Sequence, residues 1–351
     1  MSVTEVMRDR QLTIGGAVAA IVLLAVGSSV VGLPLVDILT VGAIQRTLRA
    51  ATPIALAAIG GLYAEKSGVF NIGLEGFMIF GAFVAAATAW LASGSGAVTQ
   101  LHLWFGVGAA MVVCAALTVI FAVLTVRYEA NQIVAGLAVW FIALGFAPFS
   151  AIVLWDGVSS PSLPNIATLT IPGLSDIPVV GPILFDISPL VLLTVIVTAA
   201  AWVGLYRTRY GYWIQAAGEN PEALDTAGID VNRVRFATVV LSGALAGMAG
   251  ATLSVGFAGG FTGSGVTMVD GRGWIAITAY LFANYNPVGA LGASILFGGM
   301  DALQVQLQTI GISLPSSLTG LFPYITVLVV LVLVGRTRMP AAAGEPYDTA
   351  D

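Results

Sequence analysis

Three residue types that build catalytic and metal sites are almost missing from this chain of 351 residues. It contains one cysteine, Cys114, one histidine, His102, and one lysine, Lys66. A single cysteine excludes an intramolecular disulfide and a site that holds a metal through several thiolates. One histidine and one cysteine also leave almost no material for a zinc site or for a Cys–His nucleophile. We therefore expect no metal site and no catalytic residues in this chain.

Charge is also scarce. Charged residues make up 9% of the chain and hydrophobic residues 58%, with a mean hydropathy of +0.97. A soluble globular domain carries about 25% charged residues. The net charge of −5 leaves no basic face for nucleic acid. The composition excludes a soluble enzyme, a nucleic-acid binder and a disordered scaffold, and it predicts that the chain lies in a lipid bilayer.

Apolar runs predict an all-α bundle of about ten transmembrane helices, which forms one membrane domain over residues 1–351. The predicted spans are residues 12–32, 38–63, 72–92, 103–126, 132–154, 187–206, 235–257, 273–285, 288–308 and 318–335. The eighth run is short and the ninth follows it at once. This pair is therefore predicted to form a hairpin of half-length helices.

The basic residues predict the orientation, because loops rich in Lys and Arg stay in the cytoplasm. With ten spans, most of the basic residues lie on the same side of the membrane: Arg8, Arg10, Lys66, Arg127, Arg207, Arg209, Arg233, Arg235, Arg336 and Arg338. Residues 207–234 then form a cytoplasmic loop, whereas the proline-rich segment 155–186, which contains acids but no base, forms an external loop. Both termini are predicted to be cytoplasmic, in a multi-pass protein of the cell membrane.

Residues 60–67 come close to a phosphate-binding loop but do not form one. That loop requires glycine where Glu65 stands, because a carboxylate there would repel the phosphates. Lys66 is the only lysine, so no second candidate exists. We expect no cofactor in this chain, and any ATP and magnesium that drive transport must bind to another chain.

Two polar stripes interrupt the apolar spans. Asn71 and Glu75 lie one helical turn apart, and Asp301, Gln304 and Gln308 share a helix face. Neither stripe contains a base or a histidine, so the pattern does not favour a proton relay. It favours a pathway for a neutral polar solute. The alternative is that these side chains form hydrogen bonds to neighbouring helices.

Aromatic residues in the spans can stack on a solute ring. Trp140, Phe141 and Tyr280 are the candidates, with ordinary packing or lipid contact as the alternative. Near the predicted external end, Arg272 is expected to form an ion pair with Asp270.

The loop between the sixth and seventh spans contains a short helix signal. Asn220 is a predicted N-cap and Pro221 the first helical residue, while Glu222 lies in the first turn and Gly228 ends the helix. Such a helix suits the docking of a soluble partner. It can equally be a solvated connector.

This segment also resembles a known family. Glu222 and Ala223, followed by Gly228, resemble the coupling motif of ABC importer permeases. Residues 218–229 are closer still to the ribose, simple-sugar and nucleoside permease family, which includes relatives of branched-chain amino-acid permeases. Further matching blocks follow in order, at residues 51–62, 65–76, 131–137, 271–276 and 286–292. The resemblance adds Asn131 to the candidate pathway residues.

The resemblance implies a type II-like permease that works by alternating access. Such a subunit pairs with a second permease, identical or paralogous, with two cytoplasmic ABC ATPases and with an external solute-binding lipoprotein. The residues that it implies for coupling to the ATPase are Gly218, Glu219, Asn220, Glu222, Ala223 and Gly228. The blocks look most like the nucleoside branch. A simple-sugar importer is the first alternative, and an ion-coupled secondary transporter is the second.

Overall fold

The structure, a computed structural model, describes residues 40–94, 96–178, 180–263, 268–309, 321, 325–326, 328 and 337–347. The first predicted span, residues 12–32, lies outside the described residues. The tenth, residues 318–335, lies outside them apart from four positions.

The described part of the chain is a helical bundle, with small elements between the longer helices. Its α-helices are α1 Val41–Lys66, α2 Leu74–Ser93, α3 Gln100–Ala122, α4 Gln132–Trp155, α5 Val180–Leu184, α6 Pro189–Arg207, α7 Arg209–Glu219, α8 Pro221–Thr226, α9 Val231–Ala251, α10 Arg272–Phe282 and α11 Pro287–Thr309. Short π-helical segments, Val123–Arg127 and Thr252–Ala258, extend α3 and α9. Strands β1 (Leu169–Thr170) and β2 (Asp186–Ile187) pair antiparallel, with Leu169 opposite Ile187.

Seven of the described helices, α1, α2, α3, α4, α6, α9 and α11, are long and apolar enough to cross a membrane. They coincide with seven of the predicted spans, and they confirm a polytopic all-α bundle. The predicted total of about ten spans is not confirmed.

The predicted hairpin of two half-length helices is right for one member and wrong for the other. Helix α10 has 11 residues and is about 16 Å long at 1.5 Å per residue, roughly half of a 30 Å hydrocarbon core. Helix α11 has 23 residues and is full length. Pro287 begins it, and no proline interrupts the apolar run that follows.

Helix α1 lies at the centre of the bundle. Its span is 78% buried, against 17% for the peripheral α4. Helix α9 packs on α1 and on α2 through glycines. A Cβ added at Gly60 would lie 2.9 Å from the Ser242 carbonyl oxygen, and one at Gly250 would lie 2.7 Å from the Ala82 nitrogen. The small residues of α9 therefore serve packing within this chain.

Most of the described basic residues lie at one end of the bundle. This end, called the basic end here, carries Lys66 at the end of α1 together with Arg207, Arg209, Arg233 and Arg235.

At the other end of the bundle, the segment from 158 to 166 lies along the backbone that follows α9. The Leu163 N–H donates to the Gly259 carbonyl at 2.8 Å, and the Ser160 N–H donates to the Phe261 carbonyl at 2.9 Å.

Gly250→Ala is expected to lower the free energy of unfolding by about 1–3 kcal/mol, because the added methyl group forces α2 and α9 apart. The matched control is Gly145→Ala on the outer face of α4, where a Cβ would meet no atom within 4 Å. The control should leave stability unchanged or raise it by up to about 1 kcal/mol. Thermal unfolding of the two variants in the same detergent measures the difference, and equal midpoints would contradict this packing.

Candidate functional site

Helix α10 begins inside the bundle rather than at its surface. At its other end, the Tyr285 ring lies 5.4 Å from the Lys66 ammonium, which places that end at the basic end of the molecule. Its first residue, Arg272, pairs with Asp301 of α11. Helix α11 begins at Pro287, close to Tyr285 at the basic end, and Asp301 lies 14 residues further along it. At 1.5 Å per residue, Asp301 is therefore about 21 Å from the basic end. The N-terminus of α10 therefore lies near the middle of the bundle.

A buried carboxylate caps this N-terminus. Glu75, 3% exposed, accepts the N–H of Gly271 at 2.9 Å and the N–H of Gly273 at 2.7 Å. The N–H groups in the first turn of a helix have no partner within the helix, and they carry the positive end of its dipole. Both glycines are needed here. Gly271 has φ +77°, and a Cβ at Gly273 would lie 2.6 Å from the Glu75 backbone.

An ion pair lies beside the cap. Nη2 of Arg272 is 3.0 Å from Oδ2 of Asp301, and both side chains are about a quarter exposed. Nη1 of Arg272 also donates to the Val269 carbonyl at 3.1 Å. The sequence suggested Asp270 as the partner of Arg272, and the structure pairs Arg272 with Asp301. The Asp301 stripe, which the sequence showed without a base, therefore has one supplied by another helix.

Aromatic rings line the same region. The Trp140 and Trp274 rings lie perpendicular, with centroids 5.6 Å apart, and both side chains are half-buried. The ring centroids of Phe141 and Trp140 are 5.0 Å apart, but Phe141 is 62% exposed on the outer face of α4. We therefore define the mid-bundle site as Glu75, Trp140, Arg272, Trp274 and Asp301.

Other candidate pathway residues lie near this site or away from it. Asn71 is buried in the loop that precedes α2, four residues before Glu75, and its amide donates to Ser242 Oγ at 2.8 Å. Gln304 is half-buried one turn after Asp301. Asn131 instead caps α4, since its Oδ1 accepts the N–H groups of Ile133 and Val134. The Gln308 side chain lies outside the described residues.

Tyr280 is not in the mid-bundle site, because it lies two turns further along α10. Its hydroxyl donates to Glu65, and so does the hydroxyl of Tyr285, at 2.5 Å. Tyr280, 1% exposed, has no surface for a solute ring.

Sequence reasoning missed Glu65. It counted Glu75 and Asp301 as the buried acids, whereas Glu65 is 1% exposed and Asp301 is partly exposed. The available signal was a carboxylate at the end of a long apolar run, which sequence reasoning used only to reject a phosphate loop.

The sequence placed Arg235 at the start of a predicted span and did not indicate that its side chain is buried. Arg235 is 2% exposed, and its guanidinium donates to the carbonyls of Ser67 at 3.1 Å, Ala217 at 3.2 Å and Glu345 at 2.7 Å. A buried charge needs such partners. These bonds tie the ends of α1 and α7 to the C-terminal residues at the basic end.

The short helix predicted near Asn220 is confirmed as α8. Asn220 Oδ1 accepts the Ala223 N–H at 3.1 Å, Pro221 is the first residue, and Gly228 follows with φ +79°. Glu222 and Ala223 are exposed. We call α7 and α8 together the coupling segment.

The first candidate coupling residues face the rest of the chain rather than solvent alone. Gly218 is buried, and its carbonyl accepts the Ala342 N–H at 2.8 Å. Glu219 is exposed and lies 3.8 Å from the Lys66 ammonium. The coupling segment is thus attached to α1 and to the C-terminal residues.

Glu75→Gln is expected to destabilise the protein by about 1.5–3 kcal/mol, the range for hydrogen bonds to a charged group. The amide keeps one acceptor oxygen, but its NH₂ group then faces one of the two N–H donors of α10. The control Asp176→Asn, at an exposed position, should change stability by less than about 0.5 kcal/mol. Thermal unfolding in detergent measures both, and an unaltered midpoint for Glu75→Gln would show that the cap is dispensable.

Comparison with known proteins gives a consistent result. Residues 43–331 match the family model described as the permease component of branched-chain amino acid transport systems. The chain is 35% identical over 310 residues to the guanosine ABC transporter permease protein NupQ of Bacillus subtilis, covering 87% of this chain and 95% of that protein. It is 34% identical over 300 residues to the nucleoside ABC transporter permease protein NupC of Lactococcus lactis, covering 84% and 93%. A putative glucose ABC transporter permease of Haloferax volcanii is 32% identical, over 78% of this chain and 80% of that protein.

Proposed function

The chain belongs to the family of permease components of branched-chain amino acid transport systems, and from this premise we propose that it is the membrane-spanning subunit of an ATP-driven nucleoside importer. Two relatives that match most of its length are named for guanosine and for nucleosides. The chain itself performs no covalent chemistry. It opens the solute pathway to one side of the membrane and then to the other.

The observation that supports a neutral solute is that the charged groups of the mid-bundle site are already engaged. The Glu75 carboxylate is bound to the N-terminus of α10, and the charges of Arg272 and Asp301 neutralise each other. A neutral solute therefore enters without an uncompensated charge. Trp140 and Trp274 offer faces on which a nucleobase stacks, and Gln304 offers an amide to the sugar hydroxyls.

The basic end is proposed to face the cytoplasm, by the rule that Lys and Arg accumulate there. The coupling segment then meets a pair of ABC ATPases, which bind ATP and magnesium. The segment 155–186 lies outside, where a solute-binding lipoprotein delivers the solute. A second permease, identical or paralogous, completes the pathway. An ion-coupled carrier is not favoured, because the charged side chains of the mid-bundle site are engaged with one another or with backbone.

We expect intact cells that express the complete transporter to take up radiolabelled guanosine, and uptake to stop when ATP is depleted. A hundred-fold excess of unlabelled glucose should not compete. Uptake should persist when an ionophore removes the ion gradient while ATP is maintained. The opposite pattern, loss with the ionophore and survival without ATP, would overturn the importer.

A simple-sugar importer is the second candidate, because one relative is named for glucose. Glucose uptake that guanosine does not inhibit would favour it. A single competition experiment with both labelled solutes separates the two candidates.

Glu222→Arg is expected to abolish co-purification of the ATPase and to lower uptake at least ten-fold, because it reverses a charge on the exposed first turn of α8. The reversal Asp176→Arg at the opposite end of the bundle is the control for ATPase binding, and it should leave co-purification of the ATPase unchanged. Immunoblotting of washed membranes verifies equal insertion. Normal ATPase binding by Glu222→Arg would contradict docking at α8.

A further inference from the structure

Both ends of helix α10 are held by buried glutamates. Glu75 binds the N–H groups at its N-terminus, in the mid-bundle site. Glu65 accepts the hydroxyls of Tyr280, in the last turns of α10, and of Tyr285, just beyond it. A short helix fixed at both ends moves as one rigid piece, so a displacement at one end reaches the other.

The end that Glu65 holds is also attached to the coupling segment. Lys66, the next residue, has its ammonium 3.8 Å from Oε1 of Glu219 and 5.4 Å from the centre of the Tyr285 ring. Glu219 is the last residue of α7 and directly precedes Asn220, the cap of α8. One lysine therefore contacts both the coupling segment and the loop that ends α10.

Helix α1 provides the fixed surface on which this joint lies. At Gly61 the Tyr280 ring approaches so closely that an added Cβ would be 2.6 Å from its Cε1. Tyr280 and Glu65 are both fully buried. The Lys66–Glu219 contact, by contrast, is partly exposed, with 52% of the Glu219 side chain in solvent. The tyrosine–glutamate joint is thus the rigid part, and the ion pair is the part that can change.

We propose that α10 transmits movement of the coupling segment to the mid-bundle site, with Lys66 and Glu219 as positioning residues and Glu65, Tyr280 and Tyr285 as the joint. This inference rests on the proposed function, since it says how ATP hydrolysis in a partner reaches the solute. When the coupling segment shifts, Glu219 shifts the ammonium and with it the Tyr285 loop. The N-terminus of α10 then moves Arg272 and Trp274 relative to Asp301 and Trp140.

The proposed transmission from Lys66 and Glu219 through α10, called the relay here, can be distinguished by experiment from a purely structural contact. An ion pair between partly exposed side chains contributes little to folding stability, so Lys66→Met and Glu219→Gln should fold and assemble normally. They should nevertheless separate ATP hydrolysis from transport. Lys66→Arg keeps a cation for both Glu219 and the Tyr285 ring, so this variant should retain the coupling of ATP hydrolysis to transport.

The first experiment measures guanosine imported per ATP hydrolysed by the complete transporter in proteoliposomes. Lys66→Met and Glu219→Gln should each lower this ratio at least about five-fold, the lower range of measured allosteric couplings. The ratio for Lys66→Arg should stay within two-fold of the unmodified protein. Arg338→Gln, at an exposed position of the same end, is the control. Ratios unchanged by Lys66→Met and Glu219→Gln would overturn the relay.

The second experiment does not depend on the solute. Amide hydrogen exchange of the full-length chain in nanodiscs should become at least about five-fold faster over residues 271–285 in Lys66→Met, including the amides that Glu75 binds. Exchange in residues 287–309 should not change. Faster exchange at Tyr285 alone, with the N-terminus of α10 unaffected, would overturn transmission along the helix.

The two experiments separate the relay from the proposed function. If the unmodified transporter imports no guanosine but residues 271–285 respond as stated, the relay stands and the choice of solute is wrong. If guanosine is imported and neither the ratio nor the exchange responds, the importer stands and the relay is wrong.

Discussion

The bond between the Glu75 carboxylate and the N-terminus of α10 is the interaction on which the interior of this protein depends. A helix that begins inside the bundle leaves N–H groups without a partner in the helix, and each such group that stays buried and unsatisfied costs several kcal/mol. Glu75 supplies two acceptors and a charge of the right sign in one side chain. Once α10 can begin there, Arg272 and Trp274 project into the middle of the bundle, where Asp301 and Trp140 meet them.

The few charges inside the described bundle hold discontinuous segments together. Glu75 and Glu65 fix the two ends of α10, while Arg235 joins the ends of α1 and α7 through backbone carbonyls. Each charge thus has a defined set of partners, as buried charges require. Charges engaged in this way are not available to carry protons or ions along the pathway, which supports the proposal that the energy for transport comes from a partner ATPase.

Sequence reasoning succeeded where the signal is local. The predicted span 132–154 and the helix Gln132–Trp155 agree within one residue, and the Asn220 cap was found, because apolar runs and caps are properties of neighbouring residues. It failed where partners are distant in the chain. Glu75 and Gly271 are separated by 196 positions, and the local sequence around either residue does not predict a contact with the other. The same holds for Arg235, because its three carbonyl partners, Ser67, Ala217 and Glu345, lie in three distant segments of the chain.

The cap also bears on why a member of this family would carry nucleosides rather than amino acids. In transporters with broken helices, the free N-terminus of a half-helix attracts the carboxylate of the solute. Here that position already holds a carboxylate, because Glu75 occupies the N–H groups of Gly271 and Gly273. An amino acid approaching α10 through its carboxylate would meet a like charge instead of free donors, and a buried pair of like charges is unfavourable. A nucleoside has no carboxylate, so the Glu75 cap at the N-terminus of α10 agrees with the neutral solute proposed above.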